Sequence, residues 1–424
     1  MKTLFQHSDI LIKDSDKYRV LHNAYLAVTD DTITYIGTTK PQEIFDSIKD
    51  YSGKMLLPGL YNCHTHSPMV LFRGIGNDVP LQTWLFEHIF PLESKLTEQQ
   101  VLTASRLAMM EMIASGTVSF TDMYFFPEFT ANAVIEIGMK ANLTKHIQFT
   151  DKYPNAVQDS IRFIQEYSNL ADGRIKTDYS IHSLYTCDKD TAAQYTAICN
   201  EANGRMHIHL SETETEYTNC LQQNGITPTQ WFDSIGALNE NTTAAHCVVL
   251  SDDDISCLAQ RRVNIVHCPT SNLKLGSGFA PIPELAQAGC AITLGTDSAA
   301  SNNNLNMFEE IHLASILHKG RLKDPTNLCT DTVLDMATTH AAKAQGRTAC
   351  GQLKCGYMAD IIAIDLNKPH LLSAQGTEKA LLTYSAGGGD VCMTMVNGKI
   401  LYENGEFFTI DKEKVFCEMR EILK

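Results

Sequence analysis

Basic residues are in deficit in this chain: 34 Lys and Arg stand against 49 Asp and Glu, leaving a formal net charge of −15 and a pI near 5.4. Nucleic acid and anionic membrane surfaces select basic patches, so this balance argues against both as partners and leaves small molecules as the clientele. Long apolar runs are missing as well. No segment approaches the length needed to span a bilayer, and Met1 to Asp9 lacks the continuous apolar core of a signal peptide, so a soluble protein is expected. There is no run of five like charges, no Pro- or Ser-rich linker and no low-complexity tract. Cysteine is present, 13 residues from Cys63 to Cys417, but no Cys-x-x-Cys pair is, which points to free thiols in a reducing cytoplasm. Cys63, Cys247 and Cys268 adjoin histidines and read as small apolar residues on buried strands.

What is there is an alternation. From about residue 57, short β-like runs follow one another: 58–66, 117–120, 142–149, 177–182, 205–210, 243–247, 263–268 and 291–297. Helical periodicity fills the gaps, for example over 101–114 and 131–138. Strand–helix units of this kind imply parallel strands, and eight of them predict a closed (β/α)₈ TIM-like barrel over residues 57–349. The flanks, 1–56 and 350–424, alternate in a β manner around turn residues. Neither is long enough for a core of its own, so both chain ends are expected to build one small β-sandwich beside the barrel.

His64-Thr65-His66 closes the first β-like run. Residues i and i+2 of a strand share a face, so two imidazoles can aim at one point. With 15 histidines in 424 residues, such a pair arises by chance on the order of half a time per chain, and His207-Ile208-His209 repeats it. Position gives the pair its force. Barrel enzymes collect their chemistry at the C-terminal ends of the strands, and here His64 and His66 end strand one, His182 strand four, His209 strand five, His246 strand six, His267 strand seven and Asp297 strand eight. Three imidazoles and a carboxylate satisfy a catalytic zinc or iron(II) with a position left for water. His209 is preferred to His207 because Glu212 follows it by three residues, bringing a carboxyl into the mouth.

The runs His64–Gly74, His209-Leu210-Ser211-Glu212, Ala245-His246-Cys247, Ser271–Gly276 and Gly295–Asn303, together with Thr339–Ala344, resemble the amidohydrolase superfamily over nearly the whole chain. More narrowly they resemble its 5-methylthioadenosine/S-adenosylhomocysteine deaminase branch. The resemblance implies one divalent metal, zinc with iron(II) as the alternative, held by His64, His66, His209 and Asp297. It implies hydrolytic loss of ammonia from an adenine nucleoside, with Glu212, His246 and Asp297 handling protons. Glu93 would accept hydrogen bonds from the two ribose hydroxyls, Trp84 would line the pocket and His182 would contact the purine. A homo-oligomer is also expected from this kinship.

One departure bears on substrate. Relatives that accept S-adenosylhomocysteine carry arginines after strand three for the amino-acid carboxylate, whereas this chain has no Arg from Leu143 until Arg162. Lys145 or Lys152 could substitute only as a point charge. The expected order therefore puts 5-methylthioadenosine, adenosine or 5′-deoxyadenosine ahead of S-adenosylhomocysteine. Two rivals stand beside this: a deaminase or dechlorinase acting on a free base such as guanine, a pyrimidine or a triazine, and a non-catalytic barrel.

Overall fold

The computed structural model describes residues 1–149 and 152–424; Thr150 and Asp151, inside the arginine-free stretch, lie outside the described residues. Parallel strands ring a barrel: Leu60–Thr65, Thr117–Met123, Lys140–Thr144, a fourth in two pieces (Ile175–Thr177 and Tyr179–Ile181), Met206–Leu210, Thr242–His246, Asn264–His267 and Ala291–Leu294. Helices cover them outside and side chains fill them inside, so nearly every strand residue is buried. The third strand ends at Thr144 rather than running on to Phe149. Beyond it Lys145 turns to pair with Glu128 at 2.5 Å, and the chain meets strand four again at Ile147.

The wall consists of a four-stranded and a five-stranded sheet that meet at the break in strand four. The Asp178 N–H donates to the Leu143 carbonyl at 3.1 Å, and Ile147 pairs in parallel with Ile181, so the break is spanned. At the other seam the Asp297 N–H donates to the His64 carbonyl at 2.9 Å and the Thr296 N–H to Asn62 Oδ1 at 3.0 Å. Closure of the barrel thus brings the exits of strands one and eight together, and with them two of the expected metal ligands.

Outer helices begin where the sequence offers caps. Before Glu98–Ala114, Thr97 accepts from the Gln100 backbone and the Gln100 side chain accepts from Thr97, and Ser251 and Asp254 do the same ahead of Asp252–Gln260. Residues from both chain ends form one continuous nine-stranded sheet around its own core of Phe5, Ile10, Leu26, Leu56, Ile361 and Met393. Lys54–Pro58 runs antiparallel to Ile361–Asp365 in that sheet, and two residues later the chain is in the barrel. Gly59 makes the crossing. A Cβ there would lie 2.3 Å from a Val118 methyl, so only glycine allows the close approach. The two bodies are pinned by buried Asp360, which takes the Lys140 ammonium, the Tyr61 hydroxyl at 2.8 Å and the Asn397 N–H at 3.1 Å.

Candidate active site

Strands five, six and eight leave the barrel wall through left-handed residues: Ser211 (φ 50°), His246 (φ 76°) with Cys247 (φ 51°), and Asp297 (φ 62°). Each non-glycine residue so held costs about 1–2 kcal/mol, and such positions persist only where neighbouring bonds impose them. Here the Cys247 N–H donates to the Leu210 carbonyl at 2.9 Å and the Val248 N–H to the Ser211 carbonyl at 3.0 Å. The turns swing side chains over the barrel mouth.

The histidine tautomers follow from their partners. His66 Nδ1 faces the Met123 carbonyl and His209 Nδ1 faces the His182 carbonyl, the latter at 2.8 Å. A carbonyl only accepts, so both Nδ1 atoms carry the proton and both Nε2 atoms present lone pairs. His209 Nε2 lies 3.2 Å from His64 Nε2 and 3.3 Å from His66 Nε2. Asp297 Oδ1 lies 3.3 Å from His66 Nε2 and 3.5 Å from His64 Nε2. Lone pairs and a carboxylate converging on one spot repel each other unless a cation lies among them. A proton is a poor candidate, because burial pulls His64 down to about 4 and His209 well below its ordinary value. Two groups of donors able to hold a metal share His64: His64, His66 and His209, and His64, His246 and Asp297. With Asp297 also 3.3 Å from His66, imidazole nitrogens and a carboxylate oxygen of this kind fit a divalent metal.

Asp297 is oriented by its other contacts. Its Oδ2 accepts from the Ser271 and Ser301 hydroxyls at 2.6 and 3.0 Å and its Oδ1 from the Ser298 N–H at 2.7 Å. Burial would raise its pKa, but His64, His66 and His246 outweigh burial and hold the carboxyl well below the usual range.

His246 Nδ1 donates to Asn272 Oδ1 at 2.9 Å, which leaves Nε2 aimed into the mouth, 3.9 Å from Glu212 Oε2. Burial pulls the imidazole down, yet Glu212, Asp297 and the Asn272 bond together raise it above its ordinary value. For Glu212 burial raises the pKa and His246 opposes, with a net upward shift. The carboxyl thus holds a proton at higher pH than a surface glutamate. Behind it stands Glu216, in the first turn of the helix Glu214–Asn224, accepting from the Ser211 N–H at 3.2 Å and the Glu212 N–H at 2.8 Å. These two bonds clasp the left-handed turn that aims Glu212.

The cavity beside the cluster is narrow, about 70 Å³, and His66, Trp84, Glu93, His182, Glu212 and Asp297 all line it. Trp84 and Glu93 come from the segment 81–93, whose middle, Trp84–Ile89, winds as a wide π-helical turn, and the Trp84 indole donates to the Ile75 carbonyl at 3.1 Å. Burial raises Glu93, with the Tyr124 hydroxyl beside it pulling the other way. His182 packs on His209 with ring centroids 5.0 Å apart, and its Nδ1 lies 3.2 Å from Thr186 Oγ1.

Every residue expected at the site from sequence is therefore at the mouth. His267, from the strand-end series, and His207, passed over in favour of His209, are not in the cluster. His207 sits behind His64, with Nε2 2.8 Å from His64 Nδ1, and His267 faces away, its Nε2 3.4 Å from His318 Nε2. The sequence reading assigned no role to Ser271, Asn272, Ser301 or Glu216. The first three stood in the quoted runs, and Glu216 was open to notice as an acid one helical turn after Glu212.

A His/Asp cluster able to bind metal thus lies at the strand exits of a (β/α)₈ barrel, with a sheet from both chain ends beside it. The amidohydrolase family profile matches residues 55–401, and the chain belongs to that family. The chain is 39% identical to the 5-methylthioadenosine/S-adenosylhomocysteine deaminase of Acetivibrio thermocellus, over 100% of this chain and 99% of that one. It is 42% identical to the 5′-deoxyadenosine deaminase of Methanosarcina mazei, over 93% and 92%. In structure it matches an adenosine deaminase from Xanthomonas campestris with bound zinc at a TM-score of 0.92 and 29% identity, covering 99% of this chain and 97% of the other.

Proposed function

We propose that this chain is an aminohydrolase of adenine nucleosides, replacing the ring amine by oxygen and releasing ammonia, with His64, His66, His209 and Asp297 holding one divalent metal. The family and the named relatives support hydrolysis of a carbon–nitrogen bond on such a nucleoside. The observation that carries the mechanism is the acid–base pair: a buried carboxyl with raised proton affinity, Glu212, 3.9 Å from the imidazole of His246, beside the donor cluster.

When bound, a divalent metal supplies the Lewis acidity that makes water a competent nucleophile near neutral pH. Glu212 delivers its proton to the ring nitrogen next to the amine-bearing carbon, which makes that carbon electrophilic. His246, with Nδ1 tied to Asn272, takes the proton from the attacking water at Nε2. His246 then gives its proton to the amine, which departs as ammonia, while Glu212 takes the proton of the new hydroxyl as the carbonyl forms. His182 and Trp84 flank the base, and Glu93 accepts from the vicinal ribose hydroxyls, each hydroxyl donating to one oxygen.

Zinc is the metal we favour over iron(II), supported by the zinc in the related adenosine deaminase. Among the described residues no helix is long and apolar enough to cross a membrane. Lys145 is paired with Glu128 at 2.5 Å, which weakens its attraction for a substrate carboxylate and supports 5-methylthioadenosine, adenosine and 5′-deoxyadenosine over S-adenosylhomocysteine. The test is ammonia release across purine nucleosides and free bases, with metal analysis of the same preparation. Turnover of adenine nucleosides, and a raised KM for them in Glu93→Ala, is the expected result. Ammonia from guanine or a triazine, with none from any nucleoside, would overturn it.

A further inference from the structure

The narrow cavity at the metal cluster shares a wall with a second, much larger one of about 590 Å³. The shared wall includes Phe90, Glu93, Tyr124, Phe125, His146 and Gln148. Glu93 therefore stands at the boundary. If the base lies at the cluster and the ribose diol at Glu93, whatever extends beyond the ribose enters the outer chamber.

That chamber is built mainly of aromatic rings. Phe86 and Phe149 both pack edge-on against Phe90, with centroids 5.2 and 5.8 Å away, and Phe125, Phe126 and Tyr153 complete the lining. Three of these rings are left substantially in water: Phe86 is 51% exposed, Tyr153 46% and Phe126 36%. Large apolar side chains gathered around one concavity mark a place where apolar surface is covered by a ligand. Of the charged groups that reach the chamber, two are held in ion pairs and one lies against a ring. Lys145 pairs with Glu128 at 2.5 Å, Asp159 with Arg162 at 2.7 Å, and the Lys152 ammonium lies 5.2 Å from the centre of the Tyr153 ring. An amino-acid side arm would have to displace Glu128 to reach Lys145 and Arg162 to reach Asp159, which leaves Lys152 as a point charge. An aromatic or long aliphatic arm meets ring faces and edges instead.

Resting on the nucleoside-deaminase reading above, we propose that the outer chamber is a subsite for bulky apolar 5′-substituents, so that aryl- and long alkyl-thioethers of 5′-deoxyadenosine are substrates at least as good as the methylthioether. The chamber has room for them, since cavities of roughly 300–1,000 Å³ hold whole drug-sized ligands.

The experiment measures kcat/KM for ammonia release from 5′-methylthio-, 5′-hexylthio- and 5′-benzylthio-5′-deoxyadenosine and from S-adenosylhomocysteine, with the metal-loaded full chain. Expected are values for the hexyl and benzyl compounds equal to or above that of the methyl compound, carried by lower KM, and a value for the homocysteine adduct at least about tenfold below the benzyl compound. Glu128→Gln, which unpairs Lys145, should raise turnover of the homocysteine adduct several-fold and leave the benzyl compound within about twofold. A tenfold fall from methyl to benzyl, or a homocysteine adduct that matches the benzyl compound in the unaltered chain, would overturn the subsite while leaving the deaminase reading intact. Ammonia from none of the four compounds overturns both.

Discussion

Asp297 and Asp360 are two buried carboxylates, both held below the usual pKa range, at opposite kinds of place. Asp360 joins the barrel to the end sheet, and its charge is met by the chain's own cation, Lys140, with Tyr61 and Asn397 filling the remaining acceptor sites. Asp297 is met by hydroxyls, one backbone N–H and imidazoles whose free nitrogens are themselves electron donors. The first region is electrically complete when folded. The second turns a carboxylate and imidazole lone pairs toward one spot, an arrangement that fits an added cation, and that difference sets a buried charge paired within the fold apart from one facing a candidate site.

The largest break in this comparison should come from Asp297→Asn. It removes the only charged donor of the proposed metal cluster, so ammonia release should fall below detection and metal content should drop. The unfolding midpoint of this variant should stay close to that of the metal-free parent, because no buried charge has been stranded. Retention of full metal and turnover would erase the distinction.

Lys140→Met should do the reverse. Stranding the buried Asp360 charge costs on the order of 3–5 kcal/mol, readable in denaturant unfolding, while the chains that remain folded keep their metal and their kcat. A loss below about 1 kcal/mol would show that Asp360 does not depend on its cation.

A smaller effect sharpens the picture at the mouth. Glu216→Gln keeps the size of the side chain but leaves one of the Ser211 and Glu212 N–H groups facing an amide NH₂. With Glu212 no longer held on target, kcat should fall about 10- to 100-fold, with KM within twofold and metal content unchanged. A change confined to KM would assign Glu216 to substrate binding.

The mildest test uses a third buried carboxyl. Glu310, which accepts from Asn302 Nδ2 at 2.7 Å and the Thr270 N–H at 3.2 Å, is pushed up to about 8 by burial. Its raised folded pKa makes its contribution to stability complete below the unfolded value near 4.5 and lost as pH climbs through about 8. Thermal unfolding of the parent should therefore weaken over that interval, and Glu310→Gln should flatten the decline. An unchanged slope would count against a neutral Glu310 in the folded chain.

Much of this molecule was legible in its residues, unevenly. The eight wall strands were marked by short β-like runs separated by helical periods, and the third stops at Thr144 although the pattern runs on to Phe149, because past Lys145 an isolated bridge from Ile147 to Ile181 takes the place of a continuous ladder. His267 shows the limit at the site. It ends its strand just as His64 and His209 do, yet it turns to His318 on the helix Met307–Leu322. Asn272 and Ser271 stood in a recognised run, but nothing local shows that one orients His246 and the other Asp297.

By itself the sequence determined the repeated strand–helix order and the kind of chemistry at the strand ends, because side-chain periodicity and residue type are local properties. Which imidazole nitrogens converge was decided only by tertiary structure. Barrel closure at Asp297 and His64, and the left-handed exits at Ser211, His246 and Asp297, set directions that no neighbour in sequence specifies. The pairing of Asp360 with Lys140, 220 residues apart, is of the same kind: it exists because two distant segments pack together, and burial then makes each the other's required partner.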